Sequence, residues 1–140
     1  MKKSKKRLAK ERAIKLAKLI SKTKAGYQCE KCPKNKSQGW QMHGAHILPV
    51  EWDATAAMPE NILCLCATCH SMGRESQHED PIPFARWFEA KWPGRYDELR
   101  EIATSYVRNP FPKIDWELKC SELKEIADGL EGYESQSTPN

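Results

Sequence analysis

Residues 61–70, with the sequence NILCLCATCH, combine a short apolar run with two cysteines three positions apart and a histidine that directly follows them. The apolar residues 62–65 predict a short buried strand, and the segment 66–70 predicts the start of a helix that reaches about Glu75. A C-x-x-C pair in a chain without export features is typical of one half of a zinc site. The stretch therefore predicts a metal-bound core built on a strand and a helix.

A second cysteine pair lies upstream, in residues 29–32, CEKC. Two such pairs supply four thiolates, which form a closed structural zinc site with no coordination position left for a substrate. Cys64 fits either a buried apolar position or a replacement ligand, and Cys120 fits a helical core position. We expect Zn²⁺ to be held by Cys29, Cys32, Cys66 and Cys69.

The patterns around the cysteine pairs predict an α+β fold that is mostly helical. Residues 40–48 and 62–65 predict two strands, which together with the helix at the second pair form a small zinc-bound ββα core. Aromatic and aliphatic residues at helical spacing predict helices after residue 80, with Trp87, Phe88 and Trp92 in the core. The predicted divisions are a basic helix or arm at 1–26, the zinc-bound core at 27–79, a C-terminal helical extension at 80–131 and a flexible tail at 132–140.

The net charge of +4 conceals a strong asymmetry along the chain. Residues 1–24 carry eleven Lys and Arg against one acidic residue, whereas the other 116 carry 12 against 18. A basic segment on an acidic body is typical of proteins that bind polyanions, with a solubilising tail as the alternative. The helix either docks its apolar stripe on the body or stays mobile until it meets a phosphate backbone. The candidate DNA-binding residues are Lys2, Lys3, Lys5, Lys6, Arg7, Lys10, Arg12, Lys15, Lys18 and Arg74.

All four histidines fall within 36 residues, at His43, His46, His70 and His78. If the strand that carries His46 packs against the helix that carries His70, both side chains face one cleft. One imidazole can then hold a divalent cation while the other takes a proton from water. Phosphodiester hydrolysis needs both functions. On a continuous helix His78 would lie about 80° away from the face of His70, which makes it a weaker ligand candidate than His43.

Three segments together resemble the HNH nuclease motif in its zinc-stapled, ββα-metal form, which has a treble-clef-like core. They are AHI at 45–47, PENIL at 59–63 and CATCH at 66–70. The resemblance covers about residues 27–75. The downstream stretch 84–99, FARWFEAKWPGRYDEL, is similar to the C-terminal part of small phage HNH and NinG-like recombination proteins.

The resemblance implies a role for each residue of the motif. His46 would be the general base that activates the attacking water, and Asn61 would orient the His46 imidazole and tie the loop to the strand. His70 would bind one catalytic divalent metal, Mg²⁺ or Mn²⁺, with Zn²⁺ or Ni²⁺ as alternatives. The product would carry a 5′-phosphate.

One position departs from the motif. Many members have Asp or His, a second metal ligand, where this chain has Ala45. His43, two residues earlier and on the same strand face, is the expected substitute. The lesser candidates are Glu51, Asp53 and His78.

The sequence thus predicts a metal-dependent DNA endonuclease. The alternative is a non-catalytic zinc-finger DNA-binding or phage recombination and assembly module with a decayed site, and a protein-interaction finger is a more distant third. Expected partners are double-stranded or branched DNA and a phage or host replication, recombination or packaging protein. The sequence has no apolar run of roughly 20 residues and no signal peptide, so we expect no membrane association. The expected location is the bacterial cytoplasm, with either a bacterial or a phage gene as the source.

Overall fold

The computed structural model describes residues 2–130, and the predicted tail at 132–140 lies outside the described residues. Within that part the fold is α+β and mostly helical, with one small antiparallel sheet, as the sequence predicts. The elements are α1 (Lys5–Lys24), β1 (Met42–His46), α2 (Asp53–Ala56), β2 (Ile62–Cys66), α3 (Pro81–Lys91), α4 (Arg95–Arg108) and α5 (Trp116–Asp128).

The basic helix α1 is docked on the body of the protein. The Ser4 side chain accepts a hydrogen bond from the Arg7 backbone N–H, which caps the first turn. The stripe that packs against α5 consists mainly of alanines, whose small side chains let the two helices approach closely. The buried residues of this stripe are Ala9, Ala13, Ala17 and Ile20.

The sheet pairs β1 with β2 in antiparallel register, with His46 opposite Ile62. Strand β2 is buried along its whole length, which agrees with its uninterrupted apolar sequence. Helix α1 crosses β1 at Gly44, where an added Cβ would lie 2.5 Å from Cγ of Lys18. The absence of a side chain at Gly44 therefore lets Lys18 reach past the strand.

The segment after β2 differs from the helix predicted to reach Glu75. A π-helical turn spans Thr68–Met72, and the extended backbone at Gly73 ends it. The Gln77 N–H then bonds to the Cys69 carbonyl at 2.9 Å, and the next N–H bonds to the His70 carbonyl at 3.2 Å. These bonds fold residues 77–78 back beside residues 69–70, whereas a continuous helix would have carried them away.

The remaining elements complete three clusters of apolar side chains. Helix α3 buries Phe84 and Phe88 against the sheet and the cysteines, and Trp87 and Trp92 pack partly buried on the same cluster. Helix α4 packs Leu99 and Ala103 against Leu48, which lies in the loop after β1. The same loop contains the short helix α2.

No helix in the described range 2–130 combines the length and apolar character that a membrane span requires.

Candidate functional site

The two C-x-x-C pairs converge on one group. The ligand atoms of its four cysteines all lie within 4.8 Å of one another, and the Sγ atoms of Cys32 and Cys66 are 3.6 Å apart. Four sulfurs placed tetrahedrally at about 2.3 Å from a zinc ion would be about 3.8 Å apart. The group could therefore hold a metal ion, and its donor set is compatible with structural Zn²⁺. It consists of Cys29, Cys32, Cys66 and Cys69.

Backbone hydrogen bonds hold the first pair against the second. The Cys29 N–H bonds to the Lys34 carbonyl at 2.9 Å, which closes the first knuckle. Glu30 then links the knuckle to β2, because its N–H donates to the Cys64 carbonyl and its carboxylate accepts from the Cys64 N–H at 2.8 Å. Cys64 thus supports the group through its backbone, while its own side chain is fully buried outside it.

The electrostatics of the group favour a cation at its centre. Burial raises the pKa of the Cys32 and Cys69 thiols. Burial acts in the same direction on Cys66, but its pKa is lowered because hydrogen bonds from the Cys69 backbone and the neighbouring thiols outweigh that effect. A bound cation would supply the positive charge that lets all four thiols ionise together.

A second group, of histidines, forms around His70, the residue of the π-helical turn that directly follows Cys69. The Nδ1 atoms of His43 and His70 are 2.9 Å apart, and the ring centroids of His70 and His78 are 4.6 Å apart. His46 and His70 line the same cleft, which has a volume of about 390 Å³. We call it the histidine cleft, and its lining residues are Lys18, Gly44, His46, Ile47, Pro49, His70, Gln77 and His78.

The spacing of His43 and His70 suits two ligands of one ion. Imidazole nitrogens at about 2.0–2.1 Å from a metal, with an angle between 90° and tetrahedral, are roughly 2.9–3.4 Å apart. The same distance also fits a hydrogen bond in which one Nδ1 carries a proton. Within residues 2–130 only the cysteine group brings three or more ligand atoms to within 4.8 Å of one another, so the histidine group is the looser of the two.

The His46 imidazole is oriented by a backbone carbonyl. Its Nε2 lies 2.8 Å from the carbonyl oxygen of Ala56. Because a carbonyl can only accept, Nε2 carries the proton and Nδ1 keeps a free lone pair in the neutral ring. Burial lowers the pKa of His46, which keeps the ring neutral at pH 7. The geometry and the charge state are those of a group that can accept a proton.

Asn61 fixes the loop that presents this carbonyl. Its buried side chain accepts from the Leu48 N–H at 2.8 Å and donates to the carbonyls of Leu48 and Thr55 at 3.1 and 3.0 Å. Its backbone carbonyl also accepts from the Ile47 N–H at 2.8 Å, which ties the loop to β1. Asn61 makes no hydrogen bond to the His46 ring within the described chain, so any orienting effect acts through the loop to Ala56.

His70 in the cleft and His43 beside it also have lowered pKa values, which keep both rings neutral at pH 7. Burial, followed by repulsion between the protonated ring and the neighbouring His78 and His43, lowers the pKa of His70 to about 4. Burial and the nearby Lys22 and Lys18 lower the pKa of His43. Neutral imidazoles keep the lone pairs that metal coordination requires.

The structure separates the candidate substitutes for the missing ligand at Ala45. Ala45 is fully buried in the apolar cluster beneath the sheet. Asp53 forms an ion pair with Lys10 at 2.6 Å and does not line the histidine cleft. His43 and His78 instead lie directly beside His70. The continuous helix that the sequence predicts would have placed His78 off this face.

Gln77 is a cleft residue that the sequence did not reveal. Its Nε2 donates to the His46 carbonyl at 2.8 Å, so it joins the returning turn to β1. Its Oε1 is buried and has no hydrogen-bond partner among residues 2–130. No local motif marks Gln77, because its position depends on the turn that replaces the predicted helix.

The basic residues predicted to bind DNA differ in whether they are already paired. Four are paired within the protein: Lys3 and Arg7 with Glu11 at 2.9 and 3.6 Å, Lys10 with Asp53, and Arg12 with Glu117 at 3.0 Å. Five more in or next to α1 form no ion pair with any residue from 2 to 130, and Lys18 among them lines the histidine cleft. The unpaired members are Lys2, Lys5, Lys6, Lys15 and Lys18, to which the exposed Arg74 is added.

Comparison of this chain with protein-family models, with curated proteins and with solved structures gives no match in any of the three.

Proposed function

We propose that this protein is a metal-dependent DNA endonuclease of the HNH type that hydrolyses phosphodiester bonds. One observation carries the proposal: His46 and His70 line the same cleft, and the single N–H of the neutral His46 ring donates to the Ala56 carbonyl. A neutral imidazole with a free Nδ1 beside a second group of imidazoles provides both a base and a metal-binding position.

In this proposal His46 takes the proton from the attacking water at Nδ1. The positive charge that develops on its ring is stabilised through Nε2–H by the Ala56 carbonyl, which Asn61 and the loop hold in place. Lys18, at the edge of the same cleft, attracts the phosphate.

The catalytic ion would be held by His43 and His70, with His78 as a third ligand. A divalent cation bound there would neutralise charge on the scissile phosphate and on the leaving oxygen. The 2.9 Å spacing of the two Nδ1 atoms supports His43 and His70 as ligands, whereas His78, whose ring lies beside that of His70, would have to turn towards the ion to become the third. This ligand set replaces the carboxylate or imidazole that Ala45 cannot supply.

The cysteine group would hold Zn²⁺ with a purely structural role. Its four thiols surround one point and leave no free coordination position. Because His70 directly follows Cys69 in the π-helical turn, a zinc ion would fix the backbone from which His70 projects. The fold of the site would then depend on one metal and the reaction on another.

A plasmid-nicking assay tests the proposal. The zinc-loaded protein should convert supercoiled DNA to open circles with Mg²⁺, Mn²⁺ or Ni²⁺, and the 5′ end of the nick should carry phosphate. His46→Ala should lower the nicking rate at least 100-fold, because general-base catalysis is worth roughly 10²–10⁴-fold. The controls are zinc content and melting temperature, both unchanged in this variant. Cleavage that survives His46→Ala would overturn the assignment of the base.

The second candidate is a DNA-binding module without catalysis. Two observations favour it: the buried Ala45 has no ligating group, and the histidine group is looser than the cysteine group. DNA binding with normal zinc content but no nicking with any of the three metals would support this alternative.

A further inference from the structure

The first cysteine knuckle is a basic region on an otherwise acidic body. Between Glu11 and Glu51 the sequence has one acidic residue, Glu30, against eight Lys and Arg, whereas residues 51–140 have 17 acidic residues against nine Lys and Arg. The Glu30 carboxylate accepts a hydrogen bond from the Cys64 N–H and forms no ion pair among residues 2–130. The lysines of the knuckle therefore keep their charge for a partner outside the described chain.

Two of these lysines are each held over an aromatic ring. The Lys34 ammonium lies 4.2 Å from the centre of the Trp40 ring, and the Lys36 ammonium lies 4.5 Å from that of Tyr27. Such contacts restrict a flexible side chain without cancelling its charge. Neither lysine forms an ion pair with any residue from 2 to 130, and Trp40 is 46% exposed. We call these four residues the knuckle surface.

The knuckle surface lies beside the turn that supplies His70. Lys34 Nζ donates to the Thr68 hydroxyl at 3.1 Å, and Thr68 is the first residue of the π-helical turn. Trp40 precedes His43 by three residues, which span about 10 Å at most. Because a DNA strand advances about 3.4 Å per nucleotide, the surface lies within about three nucleotides of the histidine group.

The same strand of the protein carries cations on either side of His43. Lys18 of α1 crosses β1 at Gly44, one residue after His43, and the knuckle surface precedes the first residue of β1. A polyanion that follows β1 would therefore meet positive charge both before and after the histidine group. This arrangement favours a long phosphate backbone over a short acidic peptide.

We propose that the knuckle surface is a second DNA-binding surface, which binds the phosphate backbone within about three nucleotides of the cut site. The inference rests on the proposed nuclease function and adds where the substrate continues beyond the histidine cleft. Lys34 has three N–H donors and uses one on Thr68, so the others can reach a phosphate. Contacts of this kind position the DNA without reading its sequence.

The salt dependence of binding tests the surface separately from catalysis. The zinc-loaded protein, with no other divalent ion added, is titrated into a fluorescein-labelled duplex at several salt concentrations, and anisotropy gives the affinities. Lys34→Gln and Lys36→Gln should each reduce the slope of log affinity against log salt by about one, and the double variant by about two.

Lys124→Gln on α5 is the matched control. Lys124 is exposed and likewise forms no ion pair among residues 2–130, so its substitution removes the same charge far from the knuckle in sequence. Its slope should equal that of the unaltered protein. Slopes of the Lys34 and Lys36 variants that match the slope of the control would overturn the proposal.

Trp40→Ala tests the aromatic part of the surface. The substitution removes the ring beneath the Lys34 ammonium but no charge. The slope should therefore stay unchanged, while the affinity falls roughly threefold because binding must then order a free lysine side chain. An affinity equal to that of the unaltered protein would overturn the role given to the ring.

The two proposals fail in different ways. A reduced slope in the Lys34 and Lys36 variants, combined with no nicking activity, would reject the nuclease and leave the DNA-binding surface. Nicking that depends on His46, combined with unchanged slopes, would reject the surface and leave the nuclease. Binding of a labelled polyglutamate peptide that weakens in Lys34→Gln, while binding of the duplex does not, would assign the surface to an acidic protein and overturn the proposal.

Discussion

The cysteine group and the histidine cleft share one π-helical turn, which supplies Cys69 to the first and His70 to the second, yet they are built in different ways. The cysteine ligands come as two pairs of fixed local spacing and lie within 4.8 Å of one another. The histidines come from β1, the turn and the segment after it, and a loop and Gln77 position them. A site made from local motifs forms wherever those motifs meet, whereas the cleft depends on several elements that carry no ligand.

The largest effect is expected from breaking the cysteine group. Cys66→Ser should remove a zinc ligand and abolish the cooperative thermal unfolding of the core, because structural zinc contributes about 10–16 kcal/mol, against a total stability of about 5–15 kcal/mol. The measurements are zinc content per chain and circular dichroism during heating.

Cys120→Ser is the matched control. The Cys120 thiol lies in the interface between α1 and α5 and donates to the Ala9 carbonyl at 3.2 Å, a bond that a serine hydroxyl can also make. Its zinc content should stay normal and its melting temperature should change little. A folded Cys66→Ser protein without zinc would show that the cysteine group does not hold the core together.

The next largest loss of stability should come from the loop beside the histidine cleft, with no loss of zinc. Asn61→Ala leaves the N–H and the carbonyl of Leu48 unpaired in the interior and removes one of the hydrogen bonds to the Thr55 carbonyl, so it should lower the free energy of unfolding by about 3 kcal/mol. Zinc content should remain normal, because Asn61 does not touch the cysteine group. Chemical denaturation of the zinc-loaded protein gives the value.

Asn35 is a suitable control for Asn61. The side chain of Asn35 also accepts a hydrogen bond from a backbone group, the Gln38 N–H at 3.0 Å, but this bond is exposed to solvent. Because water can replace that bond, Asn35→Ala should cost only about 1 kcal/mol. Equal losses for the two variants would remove the special role given to the loop that Asn61 holds.

The contrast between the two groups also explains what the sequence could predict. The C-x-x-C spacing, the apolar run of β2 and the period of α1 are local, and the structure confirms the helical α+β fold and the convergence of the cysteines. The return of His78 beside His70 is not local. It depends on the turn at Gly73 and on the hydrogen bond from the Gln77 N–H to the Cys69 carbonyl. No periodicity in this segment predicts either feature.

Substitutions of single histidines test which of them bind the second metal. His43→Ala and His78→Ala should each weaken Mn²⁺ binding to the zinc-loaded protein at least tenfold, because each would remove a proposed ligand. Mutation of residues that only support metal ligands already lowers metal affinity by roughly 10–100-fold. His46→Ala is the control, since the proposal makes His46 a base and not a ligand. Electron paramagnetic resonance of free Mn²⁺ gives the affinities, and a loss in His46→Ala as large as in the other two would contradict this division of roles.

The smallest effect concerns the approach of DNA to the cleft along α1. Lys15 lies three residues before Lys18, so their directions differ by about 60° around the helix, whereas Lys5 and Lys18 differ by about 140°. Lys5 and Lys15 are both exposed, and neither forms an ion pair within residues 2–130. If the phosphate backbone enters the histidine cleft past Lys18, Lys15→Gln should reduce the slope of log affinity against log salt by about one, and Lys5→Gln should leave it unchanged. Binding of a labelled duplex at several salt concentrations measures both slopes. Equal slopes in the two variants would mean that the cleft face of α1 does not guide the DNA, and that the charge of α1 acts only as a diffuse attraction.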